Sequence, residues 1–208
     1  MKSTRLQGLH FWSIYQPDRR IDFNGFFLEG LAGGLMIDPL PLAPDQTEFV
    51  RSHGGLRWIL LTNADHWRAS QELKRAFGAR LCAPLDERER LGPRAAEVTD
   101  WFGPQMPLPR ELAELLEVHW LAGGKSPQEA VFVWRERRAV FFGDAVRSHE
   151  TGTLRLLPPD KLREPERLRQ DLRPLLTRPF EAVLLGDGDN LLQGASQALT
   201  SLAQRLGS

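Results

Sequence analysis

Apolar runs broken by glycine, proline and charged residues divide the chain into short elements, many with the length and period of strands. Residues 9–15 are rich in aromatics and predict a strand. Residues 24–29 predict a second and 34–37 a third, with Gly30, Gly33 and Gly34 marking the turn between them. The third ends at Asp38-Pro39, where proline removes a ladder donor. A short helix is expected at 45–52, stopped by Gly54 and Gly55. The stretch 57–68 reads R-W-I-L-L-T-N-A-D-H-W-R and opens with an apolar run, 58–61, of the kind buried on both faces. Asn63 suits an N-cap, and 64–77 has helical periodicity that Gly78 closes. Asp65 and His66 then stand in the first turn of a helix, beyond the C-terminal end of a buried strand, where open α/β sheets collect ligands. An Asp there also complements the helix macrodipole with no further role.

Residues 80–83 predict a short strand, and 84–97 a charged segment, helical in part. Gly103, Pro104, Pro107 and Pro109 predict a loop. A strand at 115–121 leads into a tight turn at 122–127. Apolar strands at 129–134 and 139–142 flank the polar turn 135–138 and predict a hairpin. A connector runs to about Pro159, followed by an amphipathic helix at 164–177 in which Pro174 falls late enough to kink or end it. Residues 181–185 predict a buried strand closed by Gly186-Asp187-Gly188-Asp189. The last helix, 195–206, carries Leu199, Leu202, Ala203 and Leu206 on one face. This order fits a single domain of sheets covered by helices.

A chain of 208 residues is long enough for a sizeable core, and 41% apolar with 26% charged residues is ordinary for a soluble globular protein. The formal net charge is zero, so no general pull toward nucleic acid or membrane is expected. No apolar run approaches a membrane span, and the N-terminal residues lack the apolar core of a signal peptide. Cys82 is the single cysteine. It excludes an internal disulfide or a thiolate metal cluster, suits a cytoplasmic location, and between Leu81 and Ala83 reads as a buried structural thiol.

The chemistry gathers at strand ends. The run 58–61 ends in Asn63, Asp65 and His66; 139–142 ends in Gly143-Asp144; 181–185 ends in Gly186-Asp187. If these tips share one edge, Asp65, His66, Asp144 and Asp187 converge. Carboxylates brought together repel unless a cation sits among them. With an imidazole they make good ligands for zinc, manganese or iron. The competing cations are Arg68, three residues after Asp65, and Arg147, three after Asp144, which can neutralise the cluster without metal. His10, His53, His119 and His149 are scattered, and His149 reads as an ordinary surface or loop residue. Ser126 and Ser148 lack a nucleophile-elbow motif. The segment 186–189 lacks the other ligands of a calcium loop. The six tryptophans come with no basic patch, which argues against a nucleic-acid platform.

Taken in order, these landmarks resemble the metallo-β-lactamase superfamily over nearly the whole chain. Asn24-Gly25-Phe26-Phe27-Leu28 followed by Leu35-Met36-Ile37-Asp38 is similar to that family's opening strands, the second closed by an Asp. Leu61-Thr62-Asn63-Ala64-Asp65-His66 resembles its H-x-H-x-D-H signature. Gly123-Gly124-Lys125-Ser126-Pro127 resembles its G-H-[ST]-P-G turn, Phe142-Gly143-Asp144 its strand ending in G-D, and Leu184-Leu185-Gly186-Asp187-Gly188 its late G-H-G turn. The resemblance implies one α/β (α+β) domain over 1–208: a four-layer αββα sandwich of two mixed β-sheets, helices on the outer faces, and the site along one edge.

The departures are specific. Leu61 and Asn63 stand in the places of the signature's first two histidines in an ungapped reading. Anchored on the strand end instead, Asn63 takes the first place and the loop is two residues short. Lys125 stands where a third His is expected, and an ammonium is a poor ligand. The resemblance therefore implies that the first of the family's two metal positions is absent. The second keeps Asp65, His66 and Asp144, with Asp187 in place of a His.

Two expectations follow. In one, the protein is a mononuclear metal-dependent hydrolase of a small ester, lactone, thioester or phosphoester. Asp65, His66, Asp144 and Asp187 hold zinc, manganese or iron, Asp65 also orients the water, and Lys125, Arg68, Arg147 and Asn63 line the substrate side, so the ligand is a small molecule and anionic. In the other, no metal binds, the arginines and Lys125 are internal counter-ions, and the domain is a non-catalytic binding module.

Overall fold

The computed structural model describes residues 1–30 and 32–207. They form two compact units, Met1–Glu111 and Leu112–Ser208.

The first unit is built on a seven-stranded mixed sheet whose strands lie in sequence order. β1 (Lys2–Ser3), β2 (Leu9–Gln16), β3 (Ile21–Leu28) and β4 (Gly34–Ile37) are antiparallel neighbours. α1 (Pro44–Ser52) returns the chain to β5 (Leu56–Leu60), which runs parallel to β4. α2 (Ser70–Phe77) and α3 (Arg88–Leu91) make the next two crossovers, to β6 (Arg80–Pro84) and β7 (Asp100–Phe102), both parallel. Trp12, Phe27, Met36, Ile59, Leu61, Trp67, Leu73 and Leu81 pack in one core cluster. Each such side chain contributes about 1.5–3 kcal/mol on full burial.

The parallel register of β4 and β5 places the site. Ile37 is paired with Leu60, so Asp38 and the 61–63 segment leave the sheet side by side. The Asp38 N–H donates to Leu60 O at 3.1 Å, and the Leu61 N–H to Cys82 O at 3.0 Å.

The helix expected over 64–77 is broken. A 3₁₀ turn spans Ala64–Trp67, and α2 begins only at Ser70. Between them Arg68 has φ 38° and ψ −115°, which costs a non-glycine residue about 1–3 kcal/mol. Its side chain offsets the strain. One guanidinium nitrogen donates to Asn24 O at 2.7 Å and lies 3.3 Å from Asp38 O, and the group stacks 4.9 Å over the Phe23 ring. Periodicity ran through the break because Trp67 and Ala69 are buried on either side of it. Asn63 does cap the turn, its Oδ1 accepting from the Asp65 N–H at 2.9 Å. The expected loop 103–109 is flanked by β7 and by α4 (Arg110–Leu115), which composition alone did not reveal.

The second unit has a four-stranded mixed sheet. β8 (Leu116–Ala122), β9 (Gln128–Trp134) and β10 (Ala139–Phe142) are antiparallel. The connector after 142 is not irregular: β11 (Val146–Glu150) and β12 (Thr153–Leu156) form a hairpin whose charged residues hid its period. α5 (Pro165–Leu176) contains Pro174 and ends shortly after it. β13 (Ala182–Leu185) pairs parallel with β10, and α6 (Ala195–Gly207) follows. Leu168, Leu172 and Leu175 of α5 and Leu199 and Leu202 of α6 enter the same core cluster as Val140 and Val183.

Phe142 is paired with Leu185, so Asp144 and Asp187 leave neighbouring parallel strands at the same end. The Gly186 N–H donates to Phe142 O at 2.8 Å. Among the described residues no helix is long and apolar enough to cross a membrane.

Candidate metal centre

In the first unit the centre of the arrangement is His66, buried at the end of β5. Its Nδ1 lies 2.6 Å from Asp38 Oδ2. Asp38 is itself buried and fully engaged: it accepts from the Thr62 N–H at 2.8 Å and from the Thr62 hydroxyl at 2.7 Å. A carboxylate only accepts, so Nδ1 carries a proton, and in the neutral ring Nε2 is the acceptor nitrogen. This is the carboxylate–imidazole pairing that orients a metal-binding histidine. A guanidinium nitrogen of Arg68 lies 3.4 Å from that Nε2. Asp38 has φ 49°, so two strained non-glycine residues, Asp38 and Arg68, flank the loop.

A second network holds the same loop from below. Glu87 is fully buried and accepts from the Ala64 N–H at 2.8 Å. Arg90 spans Glu87 at 2.6 Å and Asp65 at 2.9 Å. Burial acts to lower the Arg90 pKa, but Glu87 and Asp65 outweigh it and raise it, so the guanidinium stays charged. Asp65 is the most exposed of the four expected ligands, and Arg90 pairs with it at 2.9 Å.

In the second unit Asp144, Asp187, Arg147 and Lys125 come together. Arg147 donates to Asp187 Oδ2 at 3.0 Å and stands 3.8 Å from Asp144 Oδ1. Lys125 Nζ is 3.7 Å from Asp144 Oδ2. Both aspartates are buried, whereas Lys125 is half-exposed. The loop bearing Asp144 is fixed by Glu129 of β9, whose buried carboxylate accepts from the N–H groups of Gly143, Asp144 and Ala145 at 2.9–3.3 Å. The turn bearing Asp187 needs Gly188: it has φ 95°, and a Cβ there would stand 1.8 Å from Ser148 O. His149 is exposed on β11. Cys82 is buried, and burial pushes its thiol pKa up, so it carries no reactive thiolate.

Sequence reasoning named the ligand-type residues but missed what holds them. Asp38 had a signal, as the acid closing the third strand. Glu129 had a weaker one, a lone acid at the head of the apolar run A-V-F-V-W. Glu87 and Arg90 had none, because they sit in a run of alternating charges, D-E-R-E-R, that reads as a solvated face.

The sequence profile described as "Metallo-beta-lactamase superfamily" matches residues 1–206, and the chain belongs to that family. Among solved structures it is similar to VMB-1 at pH 5.5, at 14% identity, with 99% of this chain and 97% of that one covered and a TM-score of 0.75. It is similar to the metallo-beta-lactamase from Pontibacter korlensis at 12% identity, with 97% of each chain covered and a TM-score of 0.73. FIM-1 from Pseudomonas aeruginosa, solved in a mono-zinc form, matches at 15% identity over 98% of this chain and 94% of that one, with a TM-score of 0.72. At these identities the likeness shows the fold, the αββα sandwich of two mixed sheets. No curated protein matches the chain.

Proposed function

We propose that the protein is a mononuclear metal-dependent hydrolase whose ion is held by His66 with Asp144 and Asp187. The observation that carries this is the orientation of His66: buried, with its Nδ1 hydrogen-bonded to the buried Asp38 carboxylate, the pairing that orients a ligating imidazole. The donor set fits one divalent ion, since one imidazole nitrogen and two buried carboxylates suit zinc, manganese or iron. The family's other metal position does not fit, because Lys125, Asn63 and Leu61 stand in the histidine places.

When bound, the ion supplies Lewis-acid polarisation of a substrate oxygen. The protein's own groups do the rest. Lys125 and Arg68 place positive charge where an anionic substrate or a developing oxyanion can be held. Asp65 ligates the ion or orients the attacking water, and either role requires its pair with Arg90 to share the carboxylate. Asn63 lines the substrate side. The ligand class is a small anionic ester, lactone, thioester or phosphoester. The two units act as one catalytic domain, and the lone buried thiol suits a cytoplasmic setting. The test is a panel of such esters with zinc, manganese and iron in turn. Hydrolysis that needs added metal and vanishes in Asp144→Ala supports the reading; hydrolysis unaffected by chelator contradicts it.

One contact favours a second reading. Arg147 already donates to Asp187 at 3.0 Å, as an internal counter-ion does. In that case no metal binds, and the domain is a non-catalytic binding module.

A further inference from the structure

Two of the histidines scattered along the sequence, His10 and His53, meet Glu29 in the first unit. His10 lies on β2, Glu29 directly follows β3, and His53 is the C-cap of α1. Both histidines turn Nε2 toward one oxygen, Glu29 Oε1. His10 Nε2 is in direct contact with it, and His53 Nε2 lies 4.0 Å away. The imidazole centres are 5.9 Å apart. We propose that His10, His53 and Glu29 form a second transition-metal site, taking zinc or a similar N/O-seeking divalent ion, separate from the residues assigned to catalysis.

The argument rests on what holds each ring. The His53 Nδ1–H donates to Phe49 O at 2.7 Å, and a carbonyl can only accept, so Nε2 is the lone-pair nitrogen. His10 Nδ1 is 3.1 Å from the Ser3 hydroxyl. Each Nδ1 therefore has an oxygen partner and each Nε2 faces the carboxylate, the outer-shell pattern of metal-ligating histidines. The His10 proton now on the Glu29 side moves to Nδ1 on metal binding, and Ser3 Oγ turns from donor to acceptor, so no extra reactant is needed. Two imidazoles sharing an ion through Nε2 at about 2.0–2.1 Å have ring centres roughly 5–6 Å apart, which the observed separation already approaches. Rotation of the half-exposed Glu29 carboxylate, with a tilt of the His53 ring that keeps Nδ1 on Phe49 O, closes the remaining gap, while His10 stays fixed against Phe27 and Phe49. With one imidazole on β2, one on α1 and the carboxylate after β3, the ion would cross-link three elements.

Zinc binding by equilibrium dialysis tests this without an assay of activity. His53→Ala and Glu29→Gln change half-exposed side chains, and neither residue belongs to the centre at His66. The expected result is a loss of roughly one zinc per chain in each variant relative to the parent protein. That difference is read whether or not the His66 centre also binds, so the two proposals fail separately. Zinc should also raise the unfolding temperature of Asp144→Ala but not of Asp144→Ala/His53→Ala. Equal zinc content in parent, His53→Ala and Glu29→Gln would overturn the proposal and leave a plain histidine–glutamate contact.

Discussion

Asp38 and His66 are joined by a hydrogen bond of 2.6 Å between two buried side chains. The pairing follows from the register of two parallel strands, which brings the end of β4 beside the end of β5. It places the Nδ1 proton of His66 against Asp38. Asp38→Asn replaces one acceptor oxygen by an NH₂ that must face the Thr62 or His66 donors. The expected cost is about 1–3 kcal/mol in urea unfolding. The expected loss of metal affinity is about 10–100-fold by competition with a chromophoric chelator.

Glu129 plays the corresponding part in the second unit, binding three consecutive N–H groups around Asp144. Glu129→Gln turns one of those charge-assisted bonds into a donor–donor clash. A loss of about 2–3 kcal/mol is expected, with the largest amide chemical-shift changes at residues 143–145. A change below about 0.5 kcal/mol would show that the loop holds itself.

The contrast between these anchors and the ligands explains what was legible in the sequence. Alternation and apolar runs exposed β2, β4, β9 and β10 nearly to the residue, while β3 begins three residues earlier than its apolar run, at Ile21. Strand tips rich in Asp and His exposed the chemistry. The break at Arg68 was hidden because its cause is tertiary: carbonyls of Asn24 and Asp38, distant in sequence, hold the guanidinium. The β11–β12 hairpin was hidden because exposed arginine, histidine and glutamate obscure its alternation. Arg147 was recognised as a competing cation, but sequence spacing tied it to Asp144, whereas its shorter contact is to Asp187.

Acid sensitivity has one identifiable source away from the centre. Hydrogen bonds from Gln71, Lys74 and Arg75 hold the Glu97 carboxyl down at about 2, below its ordinary 4.5. A depressed pKa gives stability that is present above the unfolded value and lost as pH falls through the folded one. The stability gap between the parent protein and Glu97→Gln should therefore be constant above about pH 5 and shrink between about 4.5 and 2. Urea midpoints at a series of pH values check this; a gap that widens in acid contradicts it.

Arg147 and the ion make opposite demands on Asp187. Arg147→Gln leaves buried carboxylate charge without its guanidinium, and the metal-free variant should lose about 3 kcal/mol. If Asp144 and Asp187 ligate, zinc should restore more stability to this variant than it adds to the parent, read as the shift in unfolding temperature. No restoration would favour the counter-ion reading.

The central claim is tested most directly by metal content at the His66 centre alone. His53→Ala, which removes the proposed peripheral site, is dialysed against zinc, manganese or iron and analysed beside His53→Ala/His66→Ala. The hydrolase reading predicts roughly one tightly held ion per chain in the first and none in the second. No ion in His53→Ala under any of the three metals would contradict it and leave Arg147 as the permanent occupant between Asp144 and Asp187.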